Sequence, residues 1–188
     1  MRAREQGDTI IEVALAFAIF SLAAVSTIAL INSGLATTQR NLEITLVRQQ
    51  IDSQAELLRH LRDARDPAWQ QAISPARLVD NPLGLGDSCR PTGSISQGFY
   101  VQPLVATDPA DTTYSLRSIS SSTYVTPSTY AKIDYTSGAI QSQGIWIQAT
   151  RAEQNGSVPA YDFYIHACWD SVGISTPMTL GTIVRIYD

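Results

Sequence analysis

At 188 residues and 44% hydrophobic composition, the chain is long enough for one domain with a real core plus an appendage. Its net charge of −4 points away from nucleic acid and from a basic membrane-surface patch as partners. The two cysteines, Cys89 and Cys168, lie far apart with no CxxC spacing, which argues against a thiol-based metal or redox site.

The first six residues carry Arg2 and Arg4 against Glu5. From Ile10 to Ile31 the chain is apolar except for small polar residues and Glu12, and nineteen residues from Val13 pass without a charge. At about 1.5 Å of rise per residue, a helix over this run crosses a hydrocarbon core of roughly 30 Å. A removable secretory signal has a shorter apolar region, roughly 7–15 residues, followed by a small-residue cleavage site. A soluble core helix shows one apolar stripe, whereas residues 13–31 are apolar all round. The segment therefore reads as a membrane span. The arginines before it and the absence of a charge between Glu12 and Arg40 keep the N-terminus cytoplasmic and send the rest outward.

Glu12 is the informative residue. An acidic side chain at the centre of a membrane helix costs roughly 2.5–3.5 kcal/mol, and less near an interface. On an ordinary anchor it would rest at headgroup depth. If the chain were cut between Gly7 and Asp8, a new α-amino group would arise four residues before Glu12, on the same helix face, able to pair within the chain or with a neighbour.

The stretch Gly7, Asp8, Thr9, Ile10, Ile11, Glu12, Val13 resembles the class III signal of type IV pilins and pseudopilins. In that family a prepilin peptidase cuts after the glycine on the cytoplasmic side, and a glutamate stands fifth after the cut, where Glu12 falls. The short charged leader, Thr9, the pair Ile10 and Ile11 and the long uncharged helix match as well. The family carries phenylalanine or another apolar residue after the glycine. Asp8 departs from this, which bears on N-methylation of the new terminus and on competition with Glu12 for the amine. The resemblance implies a leader over 1–7, a transmembrane and assembly helix over 8–34, and polymerisation through helix–helix packing driven by separate assembly machinery.

Beyond the membrane run the helical signal continues. Leu35, Leu42, Leu46, Ile51, Ala55, Leu58 and Leu61 recur at helical gaps, widened by Ile44, Val47 and Leu57. Arg40, Glu43, Arg48, Asp52, Glu56, Arg59, Arg62 and Asp63 read as a solvated face, with Arg48–Asp52, Glu56–Arg59 and Arg59–Asp63 at neighbour spacing. Gly34 marks a point of easy bending, unfavourable by about 1 kcal/mol relative to alanine. Asp66-Pro67 ends an amphipathic half over 35–66, because the residue before proline is driven out of helical geometry.

Residues 67–94 form a helix-to-sheet connection. Asp66 and Pro67 suit a short capped turn, Ser74-Pro75 repeats the signal before residues 76–79, and Leu78, Val79, Leu83 and Leu85 are expected to pin the loop to a sheet. Residues 95–188 turn to strands at 98–104, 112–119, 132–135, 144–151, 160–169 and 179–187, with a long turn around Asn155-Gly156. The fold expected is α+β: a long N-terminal helix, membrane-spanning then amphipathic, packed on an antiparallel sheet of four to five strands with its other face partly wet, as the pilin resemblance also implies. Residues 35–188 are expected to form one globular domain. In an exported domain, Cys89 and Cys168 read as one disulfide, closing a loop of about 80 residues and stabilising by roughly 4–5 kcal/mol on the chain-entropy model. Two buried free thiols are the alternative.

Catalytic signals are sparse. His60 and His166 have no metal-ligand partner at usable spacing, and a solitary histidine is usually at the surface or hydrogen-bonded. GxSxG, P-loop, HExxH and GxGxxG patterns are absent. Asp108, Asp111 and Thr112 lack EF-hand spacing, and Asn155-Gly156-Ser157 is a glycosylation sequon only in a glycosylating compartment. Tyr114, Tyr124 and Tyr130, if exposed, would suit adhesive contacts, although ordinary strand and loop composition explains them equally. Neither an enzyme nor a cofactor or metal is expected. The classes that remain are a filament subunit, a minor subunit that primes assembly, binds DNA or adheres to a surface ligand, and a singly anchored extracellular binding domain that never polymerises. The expected location is the cytoplasmic membrane, single-pass, and an extracellular filament after assembly.

Overall fold

A computed structural model describes residues 8–82, 97–104, 113–119, 124–127, 129–135, 140–152 and 158–188. The chain divides into two compact units, Met1–Asn41 and Leu42–Asp188. Helix α1, Asp8–Asp63, supplies the whole described part of the first unit and the first element of the second.

In the second unit, α1 is followed by α2 (Pro67–Ala72) and seven strands: β1 (Phe99–Leu104), β2 (Thr113–Ser118), β3 (Lys132–Asp134), β4 (Gln141–Gln143), β5 (Ile145–Ala152), β6 (Ala160–Trp169) and β7 (Met178–Tyr187). Five of them form an antiparallel sheet in the order β2-β1-β5-β6-β7, and β3 and β4 pair separately. The second part of α1 packs on this sheet, an α+β arrangement with the expected strand number. Strand β4 was not expected, since Gln-Ser-Gln carries no apolar alternation; its pairing with β3 rests on backbone bonds.

Alternation sets the core. Ile145, Ile147 and Ala149 of β5, and Phe163, Ile165, Ala167 and Trp169 of β6, are fully buried and join Val47, Ile51, Ala55, Leu58 and Leu61 of α1 in one cluster. Leu42 is 58% exposed and lies off this stripe. Glu43, four residues before Val47, takes a place on the packed face and is 5% exposed, contrary to the solvated face expected for the charge run. Its carboxylate accepts a hydrogen bond from Trp169 Nε1 at 3.1 Å, which satisfies a buried indole donor. Of the expected charge pairs Glu56–Arg59 forms, and Arg62 pairs with Asp63.

The end of α1 is set by backbone geometry. Arg65 has φ 53, in the left-handed region, with Asp66 N–H donating to Leu61 O at 2.9 Å and Arg65 N–H to Arg62 O at 3.1 Å. This is the Schellman closure, made here without glycine. It ends the helix three residues short of Asp66. Asp66 then caps α2 as expected, its carboxylate accepting from Ala68 N–H at 2.8 Å. Trp69 of α2 packs edge-on to Tyr161 and against Phe163, and donates to Asp188 Oδ1 at 2.8 Å. Ser74-Pro75 begins only a turn; Leu78 then bridges in parallel to Ala149, and Val79 N–H donates to Ala149 O. Leu83 and Leu85 lie outside the described residues.

Strand β1 meets β5 only at Phe99–Ile147, leaving the amide and carbonyl of Val101 without a strand on that side. Gln54, 1% exposed on α1, fills the place: its amide donates to Val101 O at 3.0 Å and accepts from Val101 N–H at 2.9 Å. Gln50 accepts from Ile133 N–H at 3.2 Å. Truncating Gln54 strands two buried backbone groups, so Gln54→Ala is expected to destabilise the domain by about 2–4 kcal/mol and Gln50→Ala by about 1 kcal/mol. Chemical unfolding of the detergent-solubilised chain measures both, and equal losses would contradict the assignment.

Candidate functional site

The first unit presents the residues singled out from the sequence. Gly7 lies outside the described residues. Asp8 is the first residue of α1 and Thr9 the second. Ile10 and Ile11 are 72% and 70% exposed, and Glu12 is exposed beside them. The helix over residues 10–41 has no buried position: Val13, Leu15, Phe17, Phe20, Leu22, Val25, Ile28 and Leu30 are all bare. By length and composition this helix can cross a membrane, the one such helix among the described residues. That agrees with a single-pass membrane protein.

The hydroxyls within the apolar run are dealt with inside the helix. The hydroxyls of Ser21, Ser26 and Thr27 donate to the carbonyls of Phe17, Leu22 and Ala23, at 2.7, 2.7 and 2.8 Å. Thr37 and Thr38 do the same to Ser33 and Gly34. Each hydroxyl reaches back one turn to a carbonyl oxygen already in the helical ladder, so none needs water or a partner chain. Glu12 is the exception. It is the only charged residue from Ile10 to Gln39, and it meets no cation among the described residues. An unpaired carboxylate at the end of an apolar helix calls for headgroup water or a positive group at the same depth.

The second unit holds a different cluster. On the face of the sheet turned away from α1, Trp146 of β5 stands opposite His166 of β6, their rings stacked at 5.1 Å and 26°. Tyr164 stacks on the other side of His166 at 6.3 Å, and Tyr124 meets Trp146 edge-on at 5.7 Å. This face is partly wet, as expected: Thr179, Gly181, Ile183 and Arg185 of β7 are exposed on it, while Trp146, Gln148, His166 and Cys168 are buried. Both ring nitrogens of His166 and Nε1 of Trp146 are buried and find no hydrogen-bond partner among the described residues. Solitary histidines are usually satisfied; this one is not. Burial pushes its pKa down to about 4 and the Tyr124 hydroxyl up to about 12. Further along the same face, Arg185 grips Asp162 through two bonds of 2.7 Å and holds its carboxyl below the ordinary range.

No known protein family, curated protein or solved structure matches the chain. Among the described residues, no group of three His, Cys, Asp or Glu side chains comes together as metal ligands. His60 is exposed and makes an edge contact with Tyr114 at 5.2 Å. Tyr114, Tyr124 and Tyr130 pack partly buried against the core instead of standing free for adhesion. An open pocket of about 480 Å³ beside Arg62, Arg65, Asp66, Trp69 and Asp188 carries mixed charge and no nucleophile–base pair. Cys168 is fully buried on β6 and not a free thiol, while Cys89, the acids Asp108 and Asp111, and the sequon at Asn155 lie outside the described residues.

The internal satisfaction of the hydroxyls has a measurable consequence. Replacing Ser21, Ser26 and Thr27 together by alanine is expected to leave membrane insertion unchanged. Leu22→Asp, near the middle of the span, is expected to weaken insertion by about 2.5–3.5 kcal/mol. Alkaline extraction from membrane vesicles reads both, and loss of the triple variant from the membrane would contradict the account.

Proposed function

We propose that the chain is a structural subunit, major or minor, of a type IV pilus or related pseudopilus. It is held in the cytoplasmic membrane by α1, with its N-terminus inside and its second unit outside. A prepilin peptidase removes Met1–Gly7, and the subunit then polymerises by packing α1 against the helices of other subunits, driven by the assembly machinery. The observation that carries this reading is Glu12: the sole charge between Ile10 and Gln39, exposed on a helix that has no free hydroxyl among Ser21, Ser26 and Thr27, and five residues past a glycine. A plain anchor has no use for a carboxylate there. A subunit cut after Gly7 does, because each new α-amino group is a cation at the depth of a Glu12, in its own chain or in a neighbour's.

The second unit suits life outside the cell. Its core is built from residues of the second unit alone, and the reading pairs the buried Cys168 with Cys89 in one disulfide. That bridge would staple the helix-to-sheet connection to β6, the strand paired on both sides. The role is mechanical, in adhesion, motility, DNA uptake or secretion, and involves no catalysis.

The competing reading is a singly anchored extracellular binding domain that does not polymerise, and it requires no cleavage. The N-terminus of the membrane-bound protein, read by intact mass and terminal sequencing in cells with a prepilin peptidase, distinguishes the two. The expected chain begins at Asp8, and a Gly7→Ala variant stays full length. An intact Met1–Gly7 segment in the wild type would overturn the assignment.

A further inference from the structure

The buried histidine on the outer face of the sheet has no place in the filament reading, and its surroundings give it one independently. Residues 124–127 cross the sheet as a strap. Val125 forms a parallel bridge to Gln143, and Asp170 N–H donates to Pro127 O at 2.9 Å. Pro127 presses on Gly144, whose φ is +77 and where an added Cβ would lie 2.8 Å from the proline ring and 2.1 Å from Cys168 O. At the head of the strap Tyr124 closes on Trp146, and Trp146 stacks on His166. Among the described residues the strap is tied by that bridge and that hydrogen bond, and it belongs to neither sheet. Strand β6 beneath it is paired along its full length to β5 and β7.

The groups facing His166 are almost all uncharged. Among the described residues they are Trp146 and Gln148 on β5, Tyr164 and Cys168 on β6, and Thr179, Gly181 and Ile183 on β7, with Tyr124 of the strap against Trp146. The nearest charges on that face are Asp162, engaged by Arg185, and Asp170, exposed at the strap's far end. Among the described residues, no side chain or backbone group accepts a proton from either ring nitrogen. An imidazolium formed here would bring two N–H donors and a charge into an apolar layer with nothing to receive them.

We propose that Tyr124, Trp146 and His166 form an acid-released latch, in which protonation of His166 detaches the strap Tyr124–Pro127 while the five-stranded sheet stays folded. The sign follows from the two states. Closed, burial holds His166 near 4; open, the ring returns to its ordinary 6.5. Between those values the open state binds a proton that the closed state does not, so falling pH drives opening. From these two values the opening constant rises about 30-fold between pH 7.5 and pH 5. The strap yields first because it lies over the layer without being a strand of the five-stranded sheet, whose ladder stays paired.

The reporter is the Asp170 amide, closed by Pro127 O. Hydrogen exchange of the detergent-solubilised full chain, corrected for the intrinsic pH dependence of exchange, is expected to show its protection falling about 30-fold from pH 7.5 to 5. The amides of β6 keep theirs. In His166→Phe, which retains a ring in the stack, the loss disappears. Protection of Asp170 that is independent of pH, an equal loss in His166→Phe, or simultaneous loss across β6 would each overturn the latch. A second variant covers the case in which His166→Phe does not fold. Tyr124→Ala opens the layer and is expected to bring the His166 titration, followed by imidazole NMR shifts, up toward 6.5; a ring still titrating near 4 would contradict the proposal.

Discussion

One helix in this protein has to satisfy two solvents, and the rest of the molecule follows from how it does so. From Val13 to Ile31 α1 is apolar on every side, which no aqueous surface tolerates; from Leu42 to Asp63 it is apolar on one stripe and charged elsewhere. The first part removes its own polar liabilities by returning hydroxyls to its carbonyls. What remains is a single carboxylate, Glu12, with no internal remedy. A group that is unfavourable in lipid and idle in a simple anchor is most readily explained by a partner that meets it there, and cleavage after Gly7 would supply one.

The second part of α1 is tied to the sheet by more than burial. Apolar packing is non-directional and would tolerate sliding of a helix along a sheet. Gln54 removes that freedom by completing the unpaired edge of β1, and Glu43 does so a few turns earlier by accepting from Trp169. Buried polar groups that are fully satisfied in one register specify that register. Under the proposed function this matters mechanically. In such a subunit, force carried along α1 would reach the second unit through a helix keyed to its sheet by directional bonds.

Much of this was legible in the sequence. Period-2 alternation gave β5 and β6 nearly to the residue, because apolar residues recur at every second position from Ile145 to Ala149 and from Tyr161 to Trp169. Asp66-Pro67 gave the start of α2, because side-chain capping and the fixed proline φ are local effects. Apart from the end of α1, which the left-handed Arg65 sets locally, the main misses were non-local. Glu43 looked like one member of a solvated charge run, and only the approach of Trp169 from 126 positions away explains its burial. The pairing of Gln-Ser-Gln in β4 depends on a partner strand that pattern cannot reveal. His166 looked like an isolated strand residue because nothing in its neighbourhood of the chain announces Trp146 and Tyr124 above it. The fifth position after Gly7 was legible for a different reason: a charge in an apolar run stands out without any knowledge of the fold.

The claim on which the account turns is that Glu12 acts between subunits and not only within the membrane. Its most direct measure is the amount of this chain recovered in sheared surface filaments relative to the membrane pool, for wild type and Glu12→Ala expressed at equal level. The account expects Glu12→Ala to be cut after Gly7 and inserted normally, with the filament-to-membrane ratio falling by about tenfold or more, the factor that corresponds to about 1.4 kcal/mol lost from each subunit contact. An unchanged ratio would contradict it.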